Sequence, residues 1–237
     1  MNKVKLHTLW LLGMLFLMTA CGDDDDYYYP SVKLEFVTVK AGADGLIQSL
    51  LPDKGELLTV AKDRTGSTIS PNSARRVISN YEVNSEDATA VIYSLQSVVT
   101  PEPKEADDPA FEGGLKYDPV DVTSIWLGRD YLNMILNVKI NINSGKQHVF
   151  GMIEESVESE GDETVVTLSL FHDANGDEEN YNRRAYISVP LTKYVDEENP
   201  HQTIRIKFKY HTTDKNGVVV ESSKYCDPGF EYVPGVN

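Results

Sequence analysis

Between Leu132 and Asn143 the chain alternates apolar and polar residues almost without a break. Leu132, Met134, Leu136, Val138, Ile140 and Ile142 interleave with Asn133, Ile135, Asn137, Lys139, Asn141 and Asn143. Successive side chains of an extended strand point to opposite faces, whereas a helix returns to one face about every 3.6 residues. This segment is therefore a strand with one buried face and one largely polar face, as in an antiparallel sheet wet on one side. Ile204, Ile206, Phe208 and Tyr210 alternate with Arg205, Lys207 and Lys209 in the same way. No stretch repeats its apolar residues with a helical period, and β-branched and aromatic residues dominate the alternating runs. The chain reads as all-β.

Two groups of strands are predicted. Val32, Leu34 and Phe36 alternate with Lys33 and Glu35 in the first. Leu46 to Leu51 and Glu56 to Ala61 flank Pro52-Asp53-Lys54-Gly55, a turn with Gly where positive φ is wanted. Arg76 to Val83 and Ala88 to Val99 complete about five strands, a number suited to a small closed or half-closed barrel. The stretch from Thr100 to Pro109 is rich in proline and charge and reads as an extended linker. Beyond it, Gln147 to Glu154, Thr164 to Phe171 and Ala185 to Leu191 join the two clearest strands, with Pro190 marking an edge. Asn216-Gly217 before Val218-Val219-Val220 signals a hairpin. Six or seven strands at this spacing predict an antiparallel β-sandwich.

The first twenty residues have a basic start (Lys3, Lys5), an apolar run from Leu9 to Met18 and small residues before Cys21. This is the layout of a secretory leader, and its apolar run is too short for the about twenty residues a spanning helix needs. Met18-Thr19-Ala20-Cys21 resembles the bacterial lipobox, with Met18 in place of the usual Leu. That resemblance implies cleavage before Cys21 and attachment of acyl chains to its thiol; two or three chains give a stable anchor where one does not. The alternative is an ordinary secreted protein with a chance cysteine after its cleavage site. Asp23, Asp24, Asp25 and Asp26 resemble the acidic surface-export signal of lipoproteins in one Gram-negative phylum; otherwise they form a solvated acidic spacer. Tyr27-Tyr28-Tyr29 would then dock on the first domain. Loss of Lys3 and Lys5 leaves 20 basic against 37 acidic residues, a charge of −17 on the mature chain. Such a charge repels phosphate backbones and argues against nucleic-acid binding. With Cys21 lipidated, Cys226 has no partner for an internal disulfide and reads as a small buried hydrophobe.

The acidic tether running into a Val-rich strand resembles the NigD-like lipoproteins. So do Phe171-His172-Asp173-Ala174-Asn175-Gly176-Asp177-Glu178 and Ala185-Tyr186-Ile187-Ser188-Val189-Pro190-Leu191. The resemblance spans essentially the whole mature chain and implies an N-terminal OB-like barrel followed by a C-terminal β-sandwich. The expected organisation is a signal peptide at 1–20, a tether at 21–30, the barrel at 31–100, a linker at 101–118 and the sandwich at 119–237. The family takes its name from a gene beside a bacteriocin gene, which implies an immunity role; no catalytic residues are carried over.

Asp173, Asn175 and Asp177 alternate as oxygen ligands do in a calcium loop. Glu178 and Arg184 stand where an EF-hand-type loop wants Gly and Glu, so a polar hairpin with Asn175-Gly176 at its tip is the preferred reading. His172 precedes Asp173, but neighbours on a strand face opposite ways, and His148, His201 and His211 lack zinc-ligand spacing. No nucleophile elbow or phosphate-cradling Gly loop occurs. Neither a catalytic site nor a cofactor is expected. Trp126, Tyr131, Tyr181 and Tyr186 are candidates for a sugar or protein platform, with core or rim packing as the alternative. The expectation is an outer-membrane, lipid-anchored protein, facing the cell surface or the periplasm, that acts as a non-catalytic interaction module. Its partner would be an envelope protein or a toxin, or, as the alternative, a glycan, with a hydrolase as the third reading.

Overall fold

The computed structural model describes residues 31–160, 163–177 and 181–235; the expected leader, Cys21, the four aspartates and the tyrosine run lie outside them. The strands are β1 (Val32–Ala41), β2 (Ile47–Pro52), β3 (Leu58–Asp63), β4 (Ala74–Asn84), β5 (Thr89–Ser97), β6 (Pro103–Glu105), β7 (Asp121–Gly128), β8 (Tyr131–Ile140), β9 (Val149–Glu160), β10 (Glu163–Asp173), β11 (Tyr181–Pro190), β12 (Ile204–Thr213) and β13 (Val219–Tyr232). The first five close into a barrel ordered β1-β2-β3-β5-β4, and the rest form two sheets, β13-β12-β10-β9-β6 and β11-β8-β7. The all-β class and the five-stranded N-terminal barrel are as the sequence predicts. No helix among the described residues is long and apolar enough to cross a membrane.

Val37, Val39, Leu50, Val77, Tyr81 and Ile92 fill the barrel. The apolar face read at the start of β1 is therefore the wrong one. Val37 and Val39 point inward, so Phe36 and Leu34 point out; Phe36 is covered by the second lobe, whereas Leu34 is 69% exposed. Tyr81 reaches from the barrel core to Glu35, donating its hydroxyl at 2.9 Å, and burial pushes that phenol above its usual range. In the predicted turn, Gly55 adopts φ +110°.

In the sandwich, Leu132, Met134, Leu136 and Val138 of β8 pack on Val166, Leu168 and Leu170 of β10 and on Ile204, Ile206 and Phe208 of β12. Burial of these faces, at roughly 25 cal/mol per Å², is the main favourable term. Most ladders are antiparallel, but β10 and β12 run parallel, with Thr164 opposite Ile204. The chain between them crosses to the other sheet as β11 before returning, so the two strands enter from the same end. Pro190 does end an edge strand, β11. β7 escapes sequence reading because a bulge between Val122 and Ser124 breaks its alternation.

The expected linker at 101–118 belongs to the sandwich. Pro103–Glu105 pair in parallel with Met152–Glu154 as the sheet's last strand. Asp108 then caps a single helical turn, accepting from the Ala110 amide at 2.7 Å. Phe111 packs against Ile153 and Phe171, with Leu115 and Tyr117 beside it. These few apolar side chains, diluted among Pro and acids, are enough to fasten the segment to the outer face of the sheet.

Candidate functional site

The two lobes meet through a face that sequence alternation marks as wet. Phe36, Ile78 and Val98 from the barrel side pack on Trp126, Ile135 and Tyr186. Phe36 meets Trp126 edge-on, with centroids 5.3 Å apart and an interplanar angle of 83°. Val99 continues the sandwich sheet: its amide donates to the Tyr186 carbonyl and its carbonyl accepts from Ser188, both at 2.9 Å.

Beneath this apolar seam lies a polar cluster centred on Arg76. Its Nε donates to Ser188 Oγ at 3.0 Å, and its Nη2 donates to Asn133 Oδ1 at 3.1 Å and to Asp53 Oδ1 at 2.5 Å. Its Nη1 donates to Thr38 Oγ1 at 3.4 Å. Asn133 donates in turn to Asp53 Oδ2 at 2.7 Å, and Ser188 donates to Asn133 Oδ1 at 2.6 Å. The guanidinium also lies 4.3 Å over the Tyr131 ring. Arg129 adds bonds to the carbonyls of Pro52 and Gly55 at 3.3 and 2.7 Å. The side chains of Arg76 and Asp53 are only 2% and 13% exposed. A rigid guanidinium fork saturated this fully fixes orientation more than it adds stability. Gly128 is where the backbone lets the cluster form, because a Cβ there would sit 2.1 Å from Asp53 Oδ2. Val32–Asn237 accordingly form one compact unit.

At another place on the sandwich a pocket of about 230 Å³ is lined by His148, His172, Asp177, Asp118, Asp121 and Lys139, among others. His172 Nδ1 lies 2.9 Å from the Asp118 carbonyl, which can only accept, so Nδ1 carries the proton. Nε2 is thereby left as the acceptor for His148 Nδ1–H, also at 2.9 Å. His148 Nε2 faces Asp177 Oδ2 at 3.4 Å, an oxygen that accepts from the Asn141 amide at 2.9 Å. The His172 ring stacks on Phe150 with centroids 4.7 Å apart. Burial pushes the His172 imidazole below its usual range, against the opposing pull of its bond to the Asp118 carbonyl. Two imidazoles and a carboxylate are acid–base groups. Here every ring nitrogen of the pair faces a protein partner, and the arrangement ties the stretch before β7 to the loops after β8 and β10.

The structure scatters the residues singled out from sequence. Trp126 and Tyr186 lie in the lobe junction and Tyr131 under Arg76, while Tyr181 stands apart and 57% exposed. They do not make one platform. Asp173 Oδ1 accepts from the Asn175 amide at 2.7 Å, Asn175 donates to the Gln147 carbonyl, and Asp177 is turned toward Asn141. The loop thus spends its oxygens and amides on its own backbone and neighbours, with Asn175 and Gly176 at positive φ as a hairpin tip requires. Among the described residues no group of three or more His, Cys, Asp or Glu side chains is placed to hold a metal. Cys226 is half-buried, its thiol directed at the Phe208 carbonyl at 3.5 Å and pushed up by burial. Cys21 and Asp23 to Asp26 are outside the described residues.

Sequence reasoning missed both clusters. His172 stands opposite Phe150 in the β9–β10 ladder, which makes His148 its diagonal neighbour, and register is invisible in a single sequence. Ile135 in the polar register of β8 was the visible hint that this face is covered.

The chain matches the family models of the NigD-like N-terminal OB domain over residues 36–98 and the NigD-like C-terminal beta sandwich domain over residues 103–222. The chain belongs to the NigD-like family. The C-terminal NigD-like match begins at β6, the strand inside the expected linker. A crystal structure of a NigD-like immunity protein from Bacteroides caccae is 70% identical, covers 88% of this chain and 100% of its own, and has a TM-score of 0.78. A putative toxin related protein from Parabacteroides distasonis shares the fold at 17% identity, with coverage of 86% and 95% and a TM-score of 0.66. A putative lipoprotein from Bacteroides fragilis does so at 12% identity, with coverage of 87% and 100% and a TM-score of 0.57. Comparison with curated proteins returns no match.

Proposed function

We propose that this NigD-like chain is a lipid-anchored outer-membrane protein that acts as a non-catalytic interaction module in toxin immunity. The observation that carries the reading is the 70% identity to a protein described as a NigD-like immunity protein, over the whole of that chain. The leader and the lipobox-like Met18-Thr19-Ala20-Cys21 supply the anchor, and the four aspartates after it favour the cell-surface side over the periplasmic one. The cross-lobe Arg76 cluster supports the interaction role, since a body with a fixed lobe angle presents one surface to a partner without an ordering cost. The alternative, a surface glycan-binding accessory lipoprotein, needs an exposed aromatic strip, and three of its four candidate residues are engaged at the lobe junction or under Arg76. The test is a killing curve with bacteriocin-containing culture supernatant on the parent strain, a gene deletion and the complemented deletion. Increased killing of the deletion strain, reversed on complementation, is expected; identical curves remove the immunity reading.

A further inference from the structure

The larger sheet ends on β6, which is three residues long, while β9 beside it runs for twelve. Pro103, Lys104 and Glu105 pair in parallel with Met152, Ile153 and Glu154. The chain then turns away, with the Asp108 amide donating to the Glu105 carbonyl at 3.0 Å. Past this point β9 keeps β10 on one side: Ser156 stands opposite Thr167, Val157 opposite Val166, Glu158 opposite Val165 and Ser159 opposite Thr164. Among the described residues no strand pairs with its other side. Every second N–H and C=O along this stretch therefore points out of the sheet, the template on which an added strand forms.

A groove of about 590 Å³ lies where β6 stops, lined by Glu105, Leu115, Tyr117, Ile153, Glu155 and Val157, among others. Its floor is apolar, with Ile153 2% exposed, and Val157 further along is 49% exposed. Its rim is acidic. Three lysines near it are already matched: Lys104 to Asp108 at 3.2 Å, Lys193 to Glu154 at 2.6 Å and Lys209 to Glu155 at 2.7 Å. Glu105 and Glu158 are exposed and in no ion pair among the described residues. Val157 shares the face of Val166, a residue of the sandwich core, so Glu158 lies on the opposite face.

The charge selects the occupant. A second copy of this chain would set the same carboxylates against each other, which is how sheet edges avoid pairing with themselves. The chain's own Asp23 to Asp26 carry the same sign. We propose that β9 from Glu155 to Ser159 is a docking edge for an extended, lysine- or arginine-bearing segment of another protein. The segment adds to the sheet as a strand continuing β6 and lays a basic side chain in the groove against Glu105 and Glu155. Its residues alternate in kind, basic toward Glu158 and apolar toward Val157. The site stands on the sheet edge alone and does not require the immunity role.

The probe is a fluorescein-labelled heptapeptide alternating lysine and valine, titrated with the full chain at low salt and read by anisotropy, with a glutamate–valine peptide as control. Saturable binding of the lysine peptide alone is expected, weakened about tenfold by Glu105→Lys combined with Glu158→Lys. Both side chains are exposed and unpaired, so these substitutions keep the fold. Two versions of the peptide, N-methylated at odd or at even residues, separate strand addition from charge attraction, because a strand turns only every second amide toward its neighbour. One version should lose about tenfold or more in affinity while the other keeps it. Amide exchange of the complex should show new protection at every second residue between Glu155 and Ser159. No binding of the lysine peptide, equal binding of the two methylated versions, or binding without added protection in β9 overturns the docking edge.

Discussion

Arg76→Met would break the lobe junction at its centre while keeping most of the side-chain volume. The substitution removes the bonds to Ser188, Asn133, Thr38 and Asp53 together with the stacking on Tyr131. Asp53 and Asn133 keep their own bond, but Asp53 is left as a carboxylate without a counter-charge. Removing one partner of a buried ion pair costs about 3–5 kcal/mol. Asp53 retains 13% exposure, so water reaches it and the lower end, about 3 kcal/mol, is expected. For a folded unit of this size each kcal/mol lowers the melting temperature by about 2–4 °C, giving a fall of about 6–12 °C. Of the two tryptophans, Trp10 falls in the expected leader and Trp126 sits in the seam, so a chain that begins at Cys21 reports on the seam through Trp126. Thermal unfolding followed by its fluorescence reads the effect. The double variant Asp53→Leu with Arg76→Met, which leaves no unpaired charge, should regain most of the loss. A single-variant loss below about 1 kcal/mol, the scale of an exposed ion pair, would refute the claim that this cluster fastens the lobes.

Three further perturbations bear on the same account. Gly128→Ala places a methyl against Asp53 and Asn133 and should cost about 1–3 kcal/mol by denaturant titration, with a shifted Trp126 emission. Phe36→Ala empties the centre of the seam and should cost about 3–5 kcal/mol, with Trp126 emission moving to the red as water enters. Cys226, half-buried and raised above the usual thiol range, should alkylate more slowly at neutral pH than a free thiol, and should reach the free rate only in denaturant.

Strand positions in this chain were legible because one face of nearly every strand is buried, so alternation survives in β8 and β12. The reading failed where both faces are covered or the pleat is broken. In β1 the outward Phe36 and the inward Val37 are both buried, and the apolar face cannot be told from spacing. In β7 a bulge erases the period. Asn133 looked like a solvated strand residue and is fully buried, because its partners Asp53, Arg76 and Ser188 come from distant parts of the chain. Of the candidate aromatics, Trp126 and Tyr186 pack in the junction that alternation assigned to water and Tyr131 lies under Arg76, so they make no common platform with the exposed Tyr181. The histidine pair depends on ladder register and had no sequence signature at all.

The account rests most heavily on attachment through Cys21. Growth with labelled palmitate, followed by membrane fractionation of the unaltered chain and of Cys21→Ser, tests it directly. Label in the unaltered chain with recovery in the outer-membrane fraction, and neither in Cys21→Ser, is the predicted result. Absence of label, or a Cys21→Ser chain that stays with the membrane, would contradict it.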